Sequence, residues 1–192
     1  MTYSVQNNPV GFHFPNPDYC PVDLVFAPFP FYPSTPEPYT KALISKKCLP
    51  ALIALFHDAW ADGCQLYGIS AYRSYYRQLE IYNHSIISKG LEHTLKYIAE
   101  PGTSEHQTGL AIDISCPSID YELIEEFAYT KEGIWIRKHS CDYGFRLTYG
   151  NPAEPQKNHG PYIGYEPWHI CFYNFSGSNI IHDQNRILHL NH

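Results

Sequence analysis

The sequence predicts an α+β fold in which a small antiparallel sheet is flanked by helices behind an extended N-terminal wrap, and three patterns support this. Leu110-Ala111-Ile112-Asp113-Ile114 and Trp168-His169-Ile170-Cys171-Phe172-Tyr173 are short runs rich in β-branched and aromatic residues, the first alternating apolar side chains with period two. Between Leu49 and Asp62, Leu52, Ile53, Phe56, Ala59 and Trp60 recur at helical spacing. Over residues 1–40, Pro9, Pro15, Pro17, Pro21, Pro28, Pro30, Pro33, Pro36 and Pro38 rule out long helix.

Taken in order, the wrap carries Phe12, Phe14, Tyr19, Phe26, Phe29, Phe31 and Tyr32, enough aromatics to anchor it to the body rather than leave it as a disordered tail. Residues 1–40 and 41–192 are read as one domain: 192 residues with 44% hydrophobic content support one core and are short for two. Gly63 closes the first helix, and Leu66 to Ser70 reads as a strand leading into Ala71-Tyr72-Arg73. Ser74 caps a helix to about Ser88, with Gly90 behind it, and a shorter helix covers Leu91 to Ala99. Pro101-Gly102-Thr103 turns the chain toward Ser104, and Gly109 permits a tight entry to the strand at Leu110.

Downstream, Leu123, Ile124, Phe127 and Ala128 predict a helical stripe over Tyr121 to Tyr129, and Trp135 and Ile136 mark a further helix from Gly133 to Cys141. Glu122, Glu125, Glu126 and Glu132 are read as the wet face of this region. Phe145 to Tyr149 is a strand, and a loop through Gly164 containing His159 leads to the strand that opens at Pro167. Ile180, Ile181, Ile187, Leu188 and Leu190 suggest a C-terminal helix.

A net charge of −6 gives no basic excess, so neither nucleic acid nor an anionic membrane surface is an expected partner. No apolar stretch is long enough to span a bilayer, and the longest, Leu49 to Phe56, contains Pro50. Residues 1–8 lack the charged and apolar regions of a signal peptide. A full-length chain would therefore be cytoplasmic, whereas one that lost a leader or left by another route would work at the envelope or outside. Cys20, Cys48, Cys64, Cys116, Cys141 and Cys171 are irregularly spaced without a Cys-x-x-Cys pair and are expected as free buried thiols, with one or two disulfides as the alternative.

The alternation over residues 110–114 places Leu110, Ile112 and Ile114 on one face and Ala111 with Asp113 on the other, one carboxylate above a low floor. His106 lies at the mouth of this strand, and His169 supplies a third ligand type suited to zinc, which in catalytic sites takes three protein ligands and keeps a position open. Glu166, outside regular pairing, suits a base that takes the proton of a water. Arg73 can clamp a carboxylate or face an oxyanion, although position alone would make it a surface ion-pair partner.

Ser104-Glu-His106-Gln-Thr-Gly-Leu-Ala-Ile-Asp113 together with Glu166-Pro-Trp-His169 resembles the signature of the VanY-like D-alanyl-D-alanine carboxypeptidases, part of the wider group that includes lysostaphin-type peptidases and the hedgehog signalling domain. Pro21-Val-Asp-Leu24, Ser70-Ala-Tyr-Arg73-Ser-Tyr-Tyr-Arg-Gln78 and Tyr143-Gly-Phe145 extend the resemblance in order over most of the chain. It implies one zinc ion per chain on His106, Asp113 and His169, Glu166 as base, Arg73 on substrate or oxyanion charge, and Gln78 and Ser104 against the substrate. The implied substrate is a peptidoglycan stem peptide or precursor ending in D-Ala-D-Ala, the expected state a monomer. An L,D-carboxypeptidase, a dipeptidase or a phage-type endopeptidase would use the same site, and a non-catalytic zinc-stabilised binding domain is the alternative of another class. Two departures bear on substrate preference: relatives place an arginine next to Tyr-Pro where this chain has Thr148-Tyr149-Gly150, and Arg-Tyr after the last histidine where it has Cys171-Phe172.

Overall fold

The computed structural model describes residues 17–32, 39–150 and 164–173. Phe12 and Phe14, the loop with His159 and the expected C-terminal helix lie outside them. The order is β1 (Leu24–Phe26), β2 (Leu43–Ser45), α1 (Leu49–Ala61), β3 (Tyr67–Ser70), α2 (Tyr75–Lys89), α3 (Leu91–Tyr97), β4 (Ala111–Ser115), α4 (Lys131–His139), β5 (Phe145–Leu147) and β6 (His169–Phe172), with 3-10 turns between. The chain is α+β, its main sheet fully antiparallel in the order β3-β4-β6-β5, with β1 and β2 as a separate two-stranded ribbon.

Strand β4 is central because both of its faces are covered. Ile112 and Ile114 are fully buried against Leu52, Leu55 and Phe56 of α1, Ile136 of α4, Phe145 and Ile170, each contributing about 1.5–3 kcal/mol by burial. The opposite face, Ala111 and Asp113, is equally shielded. In α1 the buried stripe is Leu52, Leu55, Phe56 and Ala59, an i, i+3, i+4, i+7 set, while Ile53 and Trp60 are turned outward, 36% and 44% exposed. The Ser74 hydroxyl caps α2 by accepting from the Arg77 amide at 3.2 Å, and Gly90 closes it.

The ribbon ties the N-terminal segment to the site loop. Asp23 accepts from the Ser45 hydroxyl at 2.6 Å, and the Ser45 amide donates to the Gly109 carbonyl at 2.9 Å. Gly109 has φ +69°, a left-handed conformation that favours glycine, and a Cβ there would also press on Leu24 Cδ2 at 2.7 Å. Phe31 bridges to Gly68 of β3, where a Cβ would meet its ring at 2.6 Å.

Three expectations need correction. Tyr121 to Tyr129 is not an α-helix: Asp120 and Tyr121 have φ +52° and +61°, and only a 3-10 turn, Glu125–Tyr129, forms. The Tyr121 ring is stacked on Tyr32 at 3.7 Å and abuts Tyr67 edge-on at 5.0 Å, a tertiary placement that overrides the local stripe. Glu132 is not on a wet face; it is 2% exposed and accepts the Gln65 amide at 3.1 Å. All six cysteines are free, but Cys20 and Cys141 are exposed rather than buried.

Candidate metal centre

Strand register brings the distant halves of the site together. Asp113 on β4 pairs directly with His169 on β6, so their side chains leave the sheet side by side. His106 arrives from the 3-10 turn Glu105–Thr108 just ahead of β4. That turn is held by the Thr108 hydroxyl, which donates to the Glu105 carbonyl at 2.5 Å and accepts the Leu110 amide at 2.9 Å.

The donor atoms are selected by what occupies the other atoms. His106 Nδ1 lies 2.6 Å from the Ala71 carbonyl, an acceptor only, so this nitrogen carries the proton and donates. His106 Nε2 then faces Asp113 Oδ2 at 3.2 Å. His169 Nδ1 lies 2.9 Å from Asp113 Oδ1, and its Nε2 lies 2.9 Å from Glu105 Oε2. All three residues are buried, each offering one donor atom within 4.8 Å of the others.

Burial would push the Asp113 carboxyl up, but His106 and His169 hold it far below the ordinary carboxylate range. Burial alone would depress His169, yet hydrogen bonds to Asp113 and Glu105 raise it well above an ordinary histidine. His106 is lowered by burial, only partly offset by Asp113. A divalent cation suits this donor set: two imidazole nitrogens and a carboxylate oxygen converge, with the outward His106 nitrogen and the second His169 nitrogen already engaged.

Glu166 is placed by a tight turn, its amide donating to the Tyr149 carbonyl at 2.9 Å and its carbonyl accepting the His169 amide at 3.2 Å. The residue keeps some exposure, but its carboxyl is enclosed enough that burial pushes it up to about 8 despite the opposing pull of His169. Arg73 approaches from the start of α2, with Nη2 3.6 Å from Asp113 Oδ2. Its Nη1 donates to Gln78 Oε1 at 2.8 Å and its Nη2 to the Ser70 hydroxyl at 3.4 Å. Gln78 is placed differently from the substrate-facing position that the resemblance implies: it is 2% exposed, and its Nε2 donates to the Ala99 carbonyl at 2.7 Å, so both ends of its amide are engaged behind Arg73. Ser104 is buried at the start of the 3-10 turn without capping it. Arg77 pairs with Glu80 at 2.7 Å on the exposed side of α2, the solvated charge its sequence position suggests.

Spacing in the sequence assigns no site role to Glu105 or Tyr149, yet both lie against His169. Tyr149 packs its ring 4.9 Å from that of His169. Glu105 is 1% exposed; besides His169, its carboxylate accepts the Thr148 hydroxyl at Oε2 and the Tyr173 hydroxyl at Oε1, both at 2.8 Å. The available signal was its place inside the His106 motif.

A buried His-Asp-His donor set, with Asp113 and His169 on paired strands and His106 on the turn ahead of β4, and with a carboxylate held beside it, defines a candidate divalent-metal centre. Residues 41–175 match the family model described as VanY, D-alanyl-D-alanine carboxypeptidase, and the chain belongs to that family. Among curated proteins it is 36% identical over 171 residues to the putative carboxypeptidase YodJ of Bacillus subtilis, covering 89% of this chain and 60% of that one. Four curated relatives are matched over 60%, 58%, 52% and 42% of their own lengths. Among solved structures, the LdcB LD-carboxypeptidase aligns with a TM-score of 0.71 at 38% identity, over 82% of this chain and 71% of that one. A VanY mutant from the VanB-type resistance cassette, in complex with Zn(II), aligns with a TM-score of 0.55 at 31% identity, over 68% and 72%.

Proposed function

We propose that this chain is a zinc-dependent carboxypeptidase that removes the terminal D-alanine from peptidoglycan stem peptides or their precursors ending in D-Ala-D-Ala. The observation that carries the reading is the convergence of His106, Asp113 and His169 donor atoms within 4.8 Å, in the family shared with a Zn(II)-containing VanY. Zinc suits two imidazole nitrogens and one carboxylate with a fourth position left open. Bound there, it supplies Lewis acidity toward the scissile carbonyl and lowers the pKa of a coordinated water from 15.7 toward about 7.

The chain's own groups do the rest. Glu166 takes the proton of the attacking water and passes it to the leaving amine; a carboxyl whose enclosure already favours the protonated form is suited to holding that proton between the two transfers. Arg73, anchored by Gln78 and Ser70, retains guanidinium N–H groups for the carboxylate of the substrate terminus or for the developing oxyanion. The buried wall behind Asp113 excludes water from the back of the site.

A second reading, L,D-carboxypeptidase activity on the same stem peptides, is favoured by the higher TM-score and identity to LdcB. Purified, zinc-loaded protein incubated with stem tri-, tetra- and pentapeptides separates the two by product mass. Pentapeptide shortened to tetrapeptide supports the D,D reading, and tetrapeptide shortened to tripeptide the L,D one. Cleavage inside the stem without free D-alanine, or turnover indifferent to chelator, rejects both.

A further inference from the structure

We propose that Glu105 is a positioning residue for the metal centre, which fixes His169 in the tautomer that offers Nδ1. The inference rests on the zinc reading above and extends it to a residue outside the donor set. An imidazole ligates through one nitrogen only when the other carries the proton, so whatever accepts from the second nitrogen decides which one faces the ion. At His169 that acceptor is Glu105 Oε2, 2.9 Å from Nε2, leaving Nδ1 toward Asp113. His106 is governed in the same way by a different group, the Ala71 carbonyl on Nδ1. One ligand is thus set by a backbone dipole and the other by a full negative charge.

The surroundings of Glu105 make that charge count. Its other partners are the neutral hydroxyls of Thr148 and Tyr173 and the thiol of Cys171, and among the described residues no lysine or arginine pairs with it. Arg146, on the neighbouring strand, instead lies over the Tyr173 ring at 3.3 Å. With only neutral hydroxyl and thiol groups and one imidazole around it, the carboxylate directs its charge mainly at His169. A carboxylate–histidine pair of this kind orients the ring and makes its free nitrogen a stronger donor.

The test compares wild type with Glu105→Gln and Glu105→Leu by zinc affinity, using competition against a chromophoric chelator, and by the nitrogen NMR pattern of His169 in the zinc-loaded protein. Glu105→Gln, close to isosteric, should weaken zinc binding about 10-fold and Glu105→Leu about 100-fold, with far-UV circular dichroism of the metal-free proteins unchanged. Wild type should show a protonated Nε2 on His169, lost in Glu105→Leu. Thr148→Val and Tyr173→Phe remove neighbours but keep the carboxylate, and should bind zinc within about threefold of wild type, far less than the loss expected at Glu105. Wild-type affinity in both Glu105 variants, or equal losses in all four variants, overturns the role. A wild type that takes up no zinc overturns the centre itself and this role with it.

Discussion

The two faces of β4 are built on opposite principles. On one, Ile112 and Ile114 enter a cluster in which any apolar neighbour of suitable volume serves, because burial is non-directional. On the other, Asp113 is met atom by atom: His106 Nε2 at 3.2 Å, His169 Nδ1 at 2.9 Å and Arg73 Nη2 at 3.6 Å. The first face holds the sheet together. The second gathers like and unlike charges out of water, which is unfavourable unless every group keeps its partner. The core therefore tolerates gradual change, whereas the site fails one partner at a time.

The sharpest break in that comparison is Asp113→Ala, which should abolish zinc uptake and turnover together, as read by metal analysis after gel filtration. Retained stoichiometric zinc would mean that the polar face is not the metal site. Glu166→Ala should keep zinc but lower kcat by about 10²–10⁴-fold, and a near-normal rate would reject its role as base. For Arg73→Ala we expect about 10²-fold lower kcat/KM with zinc content intact, provided its guanidinium faces reacting charge rather than simply shielding Asp113.

Proton linkage separates the faces next. Without metal, the Glu166 carboxyl stands at about 8 against an ordinary 4.5, so its contribution to stability is fully present below about 4.5 and lost as pH rises through about 8. His169, raised above its ordinary 6.5, acts in the same direction from 6.5 upward. Zinc requires unprotonated donors, so its stabilisation grows over the same span. Thermal melts with and without chelator at pH 5.5 and 8.5 should show a gap that widens with pH; a constant gap contradicts the linkage. Smallest of all, Ile112→Val should cost about 0.5–1.5 kcal/mol in denaturant unfolding and leave zinc affinity unchanged, because only the apolar face is touched.

How much of this was legible in the sequence depends on how local each signal is. His106 and Asp113 share one turn and strand, and Glu166 and His169 another, so their spacing carries them. The cross-strand pairing of Asp113 with His169 is a property of the sheet, which the spacing implies only once β4 and β6 are laid side by side. Gln78 was legible as a site residue but not as one that supports Arg73, since its Ala99 partner lies 21 residues away. Glu105 carries no local signal of its role because its partners Thr148, His169 and Tyr173 come from far downstream. The failed helix at Tyr121 has the same cause: its ring stacks on Tyr32, in the N-terminal segment, and no local stripe can report that.

Direct pairing of Asp113 with His169 has a consequence for assembly of the molecule. If β6 slid by a single position against β4, Ile170 would replace His169 opposite the aspartate and the imidazole would swing to the greasy side. On the zinc reading, only the correctly zipped sheet would capture the ion, and metal loading would act as a quality check that the last strand has found its place.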